Sequence, residues 1–341
     1  MVLILDAQYS TLAAVEKNLL PYIEMQEFKH NLDNISRTEA YLQFYQRYPE
    51  IKWAFLAHMV SRNAGWNMCD LEGKWLTQLL NKEKRNLLYH TYERANWLIF
   101  HDAYPQLLLY HYSTKMHTPM FHLLKFFHVS QFMVGEWERF WKDRDEERLL
   151  VALIINEQNV IQKPVILDPL YKKKVFHTFL FSVHERLHNS YVLFPTVHGE
   201  LFGASVYGFN LVDRRIELGK RLASILFEKA LYPHFYQFAV NTIHTGSRYD
   251  YEQYLQPIPA RITPELRQVF SVIRHSIQQY EDWTSIRRIK KQWFTSRLRH
   301  QHSIRLTDWY KRKKKSLHRG IQLKNFFTRL LWDKKESLGR K

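Results

Sequence analysis

The sequence has one cysteine, ten glycines and eleven prolines in 341 residues. A single cysteine, Cys69, cannot form an intramolecular disulfide, which fits a reducing compartment. No apolar run reaches the roughly 18 residues that a membrane-spanning helix needs. The N-terminus lacks the order of a secretory signal, because Asp6 precedes every basic residue. These absences predict a cytoplasmic protein without a transmembrane segment.

The segments between the few glycines and prolines are long, and their apolar residues recur every three or four positions. This spacing is typical of amphipathic helices. It predicts an all-α fold, a multi-helix globular bundle with a basic helical C-terminal extension. Charge places the boundary between a near-neutral helical body at 1–285 and the extension at 286–341.

Capping and breaking residues predict where individual helices begin and end. Ser36 and Glu39 have the spacing of a capping box and predict the start of one helix. A second helix is expected to begin at Glu50 and to stop near Gly65, because glycine favours the left-handed conformation of a helix C-cap.

The sequence also predicts the local structure of two regions nearer the C-terminus. The stretch 195–219 carries spaced glycines that match no dinucleotide or phosphate loop, and it predicts a loop or close helix packing. Thr263 and Pro264 are typical of the cap and the first residue of a helix, which is expected to reach at least Tyr280.

Positive charge is concentrated at the C-terminus. The formal net charge is +17, and residues 286–341 contain 19 Lys and Arg residues against three acids, a net +16. A segment of this charge gains free energy from meeting a polyanion, because each neutralised phosphate releases condensed counterions. Nucleic acid and the anionic inner face of the membrane are the expected partners.

Two features of the extension refine this expectation. Apolar residues at helical spacing between Leu323 and Leu331 predict a basic amphipathic helix, which can dock on its own body, on a partner or on a membrane surface. Adjacent cations precede this stripe and are candidates for polyanion contact. They are Lys311, Arg312, Lys313, Lys314 and Lys315.

The segment HERLH at 184–188 has the form of a zinc-binding signature. Two histidines four residues apart on a helix, His184 and His188, can bind Zn²⁺, and Glu185 can act as the general base. The charged Arg186 between them and the lack of an extended signature count against this interpretation. No cofactor is predicted unless this segment binds zinc, in which case the protein would be a zinc-dependent hydrolase.

Two Glu-x-x-His pairs, one inside this signature and the other formed by Glu27 and His30, are also typical of di-iron helical bundles. The remaining ligands would come from Glu93 and Glu157. Their order along the chain is not the usual one, so the pattern carries little weight.

Several polar residues lie within strongly apolar segments of the body. Burying such groups unpaired costs several kcal/mol, so they must face water or pair with one another. They form either a ligand-binding pocket or a structural network that fixes helix register, and the structural interpretation is favoured. The candidates are Arg62, Asn63, Glu93, Asp102, Asn156, Glu157 and Arg248.

The segments that carry these polar residues resemble a known family. The relevant runs are NISRTEAY at 34–41, HMVSRN at 58–63, NWLIF at 96–100 and LIINEQ at 153–158. They are similar to those of the YppC-like proteins, an uncharacterised family of spore-forming, Gram-positive-type bacteria. The resemblance covers roughly residues 30–255. It implies a bacterial cytoplasmic protein, and it implies no activity, cofactor or catalytic residue.

The leading hypothesis is therefore a non-enzymatic cytoplasmic protein whose basic tail contacts nucleic acid or the inner face of the membrane. The alternatives are the zinc-dependent hydrolase and a ligand-binding polar pocket within the helical body. Whether the polar candidates line one cavity would distinguish a pocket from a structural network.

Overall fold

The fold was analysed in a computed structural model, which describes residues 9–10, 12–169, 191–205, 210–277, 279–295 and 304–322. These residues are predominantly helical and include one small antiparallel sheet, so the helical fold class is confirmed. Every helix within these ranges is too short or too polar to traverse a bilayer.

The principal elements are labelled here in chain order. Helices α1 to α6 span Ala14–His30, Asn34–Arg47, Lys52–Leu71, Lys82–Met116, Gln131–Asp143 and Glu146–Val160. Strands β1 and β2 span Tyr191–Pro195 and Leu201–Ser205. Helices α7, α8 and α9 span Val212–Leu226, Tyr232–Asn241 and 307–322. Short helical turns are found at Leu76–Leu79, Phe121–Phe127, Gln162–Ile166, Tyr249–Glu252, Leu266–Val269, Trp283–Ser285 and Lys291–Thr295.

The start of α2 is fixed by an acidic side chain. Asp33 accepts a hydrogen bond from the backbone amide of Ser36 at 2.7 Å and another from its hydroxyl at 2.8 Å. The predicted capping box of Ser36 and Glu39 is therefore wrong. A carboxylate at this position satisfies a free amide and also complements the positive end of the helix dipole.

One hydrophobic core joins the long helices, the sheet and part of the basic extension. Helix α2 packs along α3, and α6 contacts α3, α4, α5 and α7. The largest enclosed side chains include Trp53, Trp66 and Trp137. Trp293 and Tyr310 belong to the same core although they follow residue 286. The described part of the extension is thus packed against the body.

The small sheet lies in the glycine-bearing stretch that sequence analysis assigned to a loop or to helix packing. Strands β1 and β2 pair antiparallel, with Leu193 opposite Gly203. Gly203 has a φ of +149°, and a Cβ there would collide with the carbonyl oxygen of Val192. Only glycine permits this close approach of the two backbones.

The second edge of β2 is covered by the residues that lead into α9. The amide of Gly203 donates to the carbonyl of Ile304 at 2.9 Å, and the amide of Leu306 donates to the carbonyl of Leu201 at 2.7 Å. The Thr307 hydroxyl accepts from the amide of Leu201 at 2.9 Å. These bonds attach the start of α9 to the body and satisfy an otherwise open strand edge.

Helix α3 continues through Gly65, where sequence analysis placed a helix end. A Cβ at this position would lie 2.7 Å from Nε2 of His244 and would collide with Oδ1 of Asn34. Those two atoms form a buried hydrogen bond at 2.8 Å. The glycine therefore makes room for a bond between neighbouring segments, and its interpretation as a C-cap is wrong.

The helix expected from Pro264 to Tyr280 is also wrong beyond its first turn, because Leu266–Val269 are the only helical residues that the structure describes in this range. The described residues that follow run beside α4 without helical structure. Phe270 stacks on Tyr89 of α4 with ring centroids 3.7 Å apart, and Tyr280 reaches His101 of the same helix. Contacts with α4 determine this conformation, and local sequence does not reveal them.

We expect Gly65→Ala to lower the free energy of unfolding by about 1–3 kcal/mol, because the new methyl group must displace His244 or Asn34. Gly135→Ala is the matched control. Gly135 lies within α5, and apart from its chain neighbours and the adjacent helix backbone no heavy atom lies within 4 Å of its Cβ position, so alanine should stabilise the helix by about 0.5–1 kcal/mol. Urea unfolding of both variants measures the difference. Equal stability of the two variants would contradict the role assigned to Gly65.

Candidate functional site

The polar candidates occupy separate places and have different partners. The side chain of Arg62 in α3 contacts the C-terminal end of α8. Its Nη2 donates to the carbonyl of Thr242 at 2.6 Å, and its Nη1 donates to the carbonyl of Ala239 at 3.4 Å. The guanidinium thus satisfies free carbonyls of the last helical turn and complements its dipole. Burial lowers the pKa of Arg62 to about 10. This arrangement is structural.

Asn63 joins α3 to the sheet. Its amide group donates to the carbonyl of Leu193 at 2.8 Å, and its Oδ1 accepts from the amide of the same residue at 2.8 Å. The side chain therefore pairs with β1 as a neighbouring strand would. Asn63 fixes the position of the sheet on α3, and both of its polar atoms are used in doing so.

Arg248 and Glu93 each belong to a buried ion pair. Nε of Arg248 lies 2.6 Å from Oδ2 of Asp70, and its Nη2 donates to Asn67 at 2.9 Å. Glu93 pairs with Arg37 at 2.5 Å. Each pair connects segments that are distant in sequence. Removing one partner would leave a buried charge, so both pairs fix the register of their elements.

Glu157 faces α3 from α6. Its Oε2 accepts from Nε1 of Trp53 at 3.0 Å, and its Oε1 accepts from the side-chain amide of Gln158 at 2.9 Å. Burial raises the pKa of Glu157 to about 7, because these neutral donors offset only part of the desolvation.

Asp102 and Asn156 are in direct contact. Oδ2 of Asp102 accepts from the amide groups of Asn156 at 2.5 Å and Gln106 at 2.7 Å. Oδ1 of Asn156 accepts from Ser130 and from the Trp283 indole, each at 2.8 Å. This network joins α4, α6, the start of α5 and the segment that contains Trp283.

Asp102 also lines a cavity of about 620 Å³. Helix α4 contributes Arg94, Leu98 and His101 to its lining, and residues within 276–286 contribute another part. Residues within 127–130 and 159–169 close the sides. A cavity of this volume falls within the range of roughly 300–1,000 Å³ typical of small-molecule sites.

The carboxyl group of Asp102 presents one oxygen to this cavity. Its Oδ2 is held by two amide donors, whereas Oδ1 has no hydrogen-bond partner among the described residues. Burial raises the pKa of Asp102 to about 7, and the donors Asn156 and Gln106 lower it only in part. The group therefore exchanges a proton near neutral pH.

Aromatic rings form the cavity wall near this carboxyl group. The ring of Tyr280 stacks on His128 with centroids 3.7 Å apart, and its hydroxyl lies 3.3 Å from Nε2 of His101. Burial lowers the pKa of His128, which favours the uncharged form of its ring. Trp283 lines the same wall.

The described part of the basic extension forms a second candidate site. One face of α9 is docked on the body, and the opposite face is exposed. Tyr310 and Ile321 on this inner face are buried. Glu252, which is 1% exposed, accepts from the Tyr310 hydroxyl and from Nζ of Lys314, each at 2.5 Å. Nζ of Lys311 donates to a body carbonyl, that of residue 256, at 2.8 Å. Lys311 and Lys314 of the five adjacent cations thus bond the protein itself.

The opposite face of α9 is cationic and exposed. Arg312 and Lys315 of the five-cation run lie there, with Arg319 one turn further on. Lys313 lies between the two faces and is half-buried. We call Arg312, Lys315 and Arg319 the outer cationic face. Within the described ranges, no carboxylate lies within ion-pair distance of these three side chains.

The zinc signature at 184–188 and the apolar stripe at 323–331 lie outside the described residues. Both interpretations therefore stay predictions. In the parts of the chain that the structure describes, no three His, Cys, Asp or Glu side chains are placed to hold a metal ion. Glu27, His30, Glu93 and Glu157 accordingly do not form a di-iron centre.

The sequence was also compared with known proteins. The profile of the family described as "Protein of unknown function (DUF2515)" matches residues 29–311. The chain belongs to this family. It is 48% identical over 303 residues to the "Uncharacterized protein YppC" of Bacillus subtilis (strain 168), over 89% of this chain and 94% of the relative. No solved structure matches the chain. The resemblance to the YppC-like proteins is thereby confirmed.

The two candidate sites differ in their relation to the family. All residues that line the cavity lie inside the range that the DUF2515 profile matches. The outer cationic face begins at Arg312, one residue after that range ends. The cavity therefore lies in the part of the chain that the family profile matches. The outer cationic face lies in the part of the C-terminal extension that follows this match.

Sequence reasoning missed most of the cavity. His101, His128 and Tyr280 come from three distant segments, and the segment of Tyr280 was interpreted as a helix. No local motif joins them. The available signal was Asp102, an acid within an apolar helical segment, which sequence analysis did select.

We expect the carboxyl group of Asp102 to titrate near pH 7 in the folded protein, because burial destabilises its ionised form. The raised pKa means that the carboxyl contribution to stability is greatest at acid pH and declines as the pH rises from about 4 to about 7. Carbon NMR of the side-chain carboxyl groups measures the pKa, and Asp102→Asn identifies the resonance. A midpoint below pH 5 would contradict the assignment.

Proposed function

We propose that this protein is a bacterial cytoplasmic protein that binds nucleic acid through the outer cationic face of α9. The observation that supports this is that the two faces of the helix have different environments. Tyr310, Lys314 and Ile321 hold its inner face on the body, while the outer cations point to solvent.

Docking gives the cations a fixed arrangement. Arg312, Lys315 and Arg319 follow one another at intervals of three and four residues, so they share one side of the helix. They span about 10 Å along its axis at 1.5 Å per residue. Duplex DNA carries about one charge per 1.7 Å of axis, so this span faces several phosphates. A fixed array loses less conformational entropy on binding than a loose arm would.

Nucleic acid is favoured over a membrane because α9 has no free apolar face. An interfacial helix binds lipid by burying its apolar side in the bilayer, and in α9 that side is packed on the body. The Trp309 ring packs on Tyr191 with centroids 3.8 Å apart, so it is not free to stack on bases. We therefore propose contacts with phosphates, which position the protein without reading sequence.

We expect Arg312→Gln, Lys315→Gln and Arg319→Gln together to weaken binding to a mixed-sequence DNA duplex and to reduce the salt dependence. The slope of log K against log salt should fall in magnitude by about 3, since each lost phosphate contact removes about 0.9. Fluorescence anisotropy at several salt concentrations measures both effects. These substitutions leave the inner face intact, whereas deletion of 286–341 would also remove Trp293 and Tyr310 from the core.

The matched control removes the same charge elsewhere, by Lys84→Gln, Arg139→Gln and Lys142→Gln. These side chains are exposed on α4 and α5, and their replacement should change DNA affinity much less. Equal effects of the two triple variants would reduce the proposal to non-specific attraction by net charge. Binding to phosphatidylglycerol vesicles that exceeds binding to DNA and is lost in the first variant would replace nucleic acid with the membrane as the partner.

A further inference from the structure

The cavity beside Asp102 contains an oriented acceptor that the protein itself does not use. Asn156 and Gln106 hold Oδ2 of Asp102 from one side. This leaves Oδ1 directed away from both amide donors, without a hydrogen-bond partner in the described ranges. No Lys, Arg or His nitrogen within those ranges lies within ion-pair distance of Asp102. The carboxyl group is fixed in place and lacks a counter-ion.

The cavity lining is acidic although the whole protein has a net charge of +17. Four of its charged residues are acids and two are bases. Both bases have other partners, because Lys163 forms an ion pair with Glu281 and the guanidinium of Arg94 lies 5.0 Å from the ring centroid of Trp97. The charged lining residues are Arg94, Asp102, Lys163, Asp168, Glu281 and Asp282.

The rest of the lining is suited to the apolar part of a ligand. The rings of Tyr280, Trp283 and Phe127 border the cavity together with aliphatic side chains such as Leu98 and Ile277. Aromatic faces attract cations through the ring quadrupole, by about 0.5–2 kcal/mol each. A carboxylate beside aromatic rings is therefore a favourable environment for an ammonium group that carries an apolar substituent.

We propose that this cavity binds a small organic amine in its protonated form, with the carboxylate of Asp102 as counter-ion and the aromatic wall around its apolar group. The site is separate from the outer cationic face, since no residue of α9 lines the cavity. The proposal is thus independent of nucleic-acid binding.

Binding of a cation should be linked to proton release. The pKa of Asp102 is about 7 in the free protein, and an ammonium group in contact with it favours the ionised form. The groups that act on this carboxyl are His101 on the same helix and Asp282 in the segment 276–286, with the donors Asn156 and Gln106. Affinity should rise with pH, by about tenfold between pH 6 and pH 8, and about half a proton should be released per site at pH 7.

The experiment uses three probes of similar shape and different charge on the full-length protein. They are 2-phenylethylamine, 2-phenylethanol and 3-phenylpropionate. Isothermal titration calorimetry in two buffers of different ionisation enthalpy measures affinity and proton release. The amine is expected to bind at least tenfold more tightly than the alcohol, and the carboxylate most weakly.

Variants locate the binding site. Asp102→Asn keeps an oxygen that can accept from Asn156 and Gln106 but removes the charge, and it should weaken amine binding at least tenfold. Glu157→Gln is the matched control, because Glu157 is a carboxyl with a pKa likewise raised to about 7 by burial and it does not line the cavity. Amine binding should be unchanged in that variant and in the triple variant of the outer cationic face.

Circular dichroism checks that each variant is folded. If Asp102→Asn does not fold, the charge series and the pH dependence of the native protein decide the matter. Equal affinity for the amine and the alcohol, no binding of the amine, or amine affinity that does not change between pH 6 and pH 8 would each overturn the proposal. Unchanged amine binding by folded Asp102→Asn would do the same.

Discussion

The free energy needed to remove a charge from water determines how the helices of this protein are joined. A guanidinium enters an apolar interior only where acceptors meet it. Arg37 of α2 therefore requires Glu93 of α4, and Arg62 of α3 requires the last carbonyls of α8. Each requirement is met only when two elements meet in one register. The polar residues within apolar segments of the sequence consequently form, for the most part, the bonds that fix the fold.

Asp102 satisfies the same constraint in another way. Its donors are two neutral amides, which offset only part of the cost of burying the charge. The protonated form is therefore favoured, and the pKa rises to about 7. Glu157 shares this property, but it does not border the cavity. The two carboxyl groups thus have similar pKa values and differ in whether they border the cavity. Raised pKa values in this protein indicate burial, and only the cavity distinguishes a candidate binding group from a structural one.

The helical architecture follows from the sequence because amphipathic periodicity is a local property. The long helices of the body, such as α4 and α6, confirm the helical fold class that this spacing predicts. What could not be predicted depends on distant partners. The local sequence at Gly65 indicates a helix end, and its place inside α3 is explained by contact with His244 and Asn34. Thr263 and Pro264 are typical of a helix start, yet the described residues that follow Val269 lie beside α4 in another conformation, where Phe270 stacks on Tyr89. The cavity is built on that segment and was missed for the same reason.

The basic extension shows why a count of charges does not describe an electrostatic surface. Lys314 and Lys311 bond acceptors of the body, so they contribute less to an external partner than Arg312 or Lys315. The outer cationic face acts over a limited distance, since the screening length is about 8 Å at physiological ionic strength. The charged residues that line the cavity are four acids and two bases, so the local charge there is opposite in sign to that of the extension. The two proposals thus assign a polyanion to one surface and an ammonium group to another part of the same fold, in a protein whose net charge is +17.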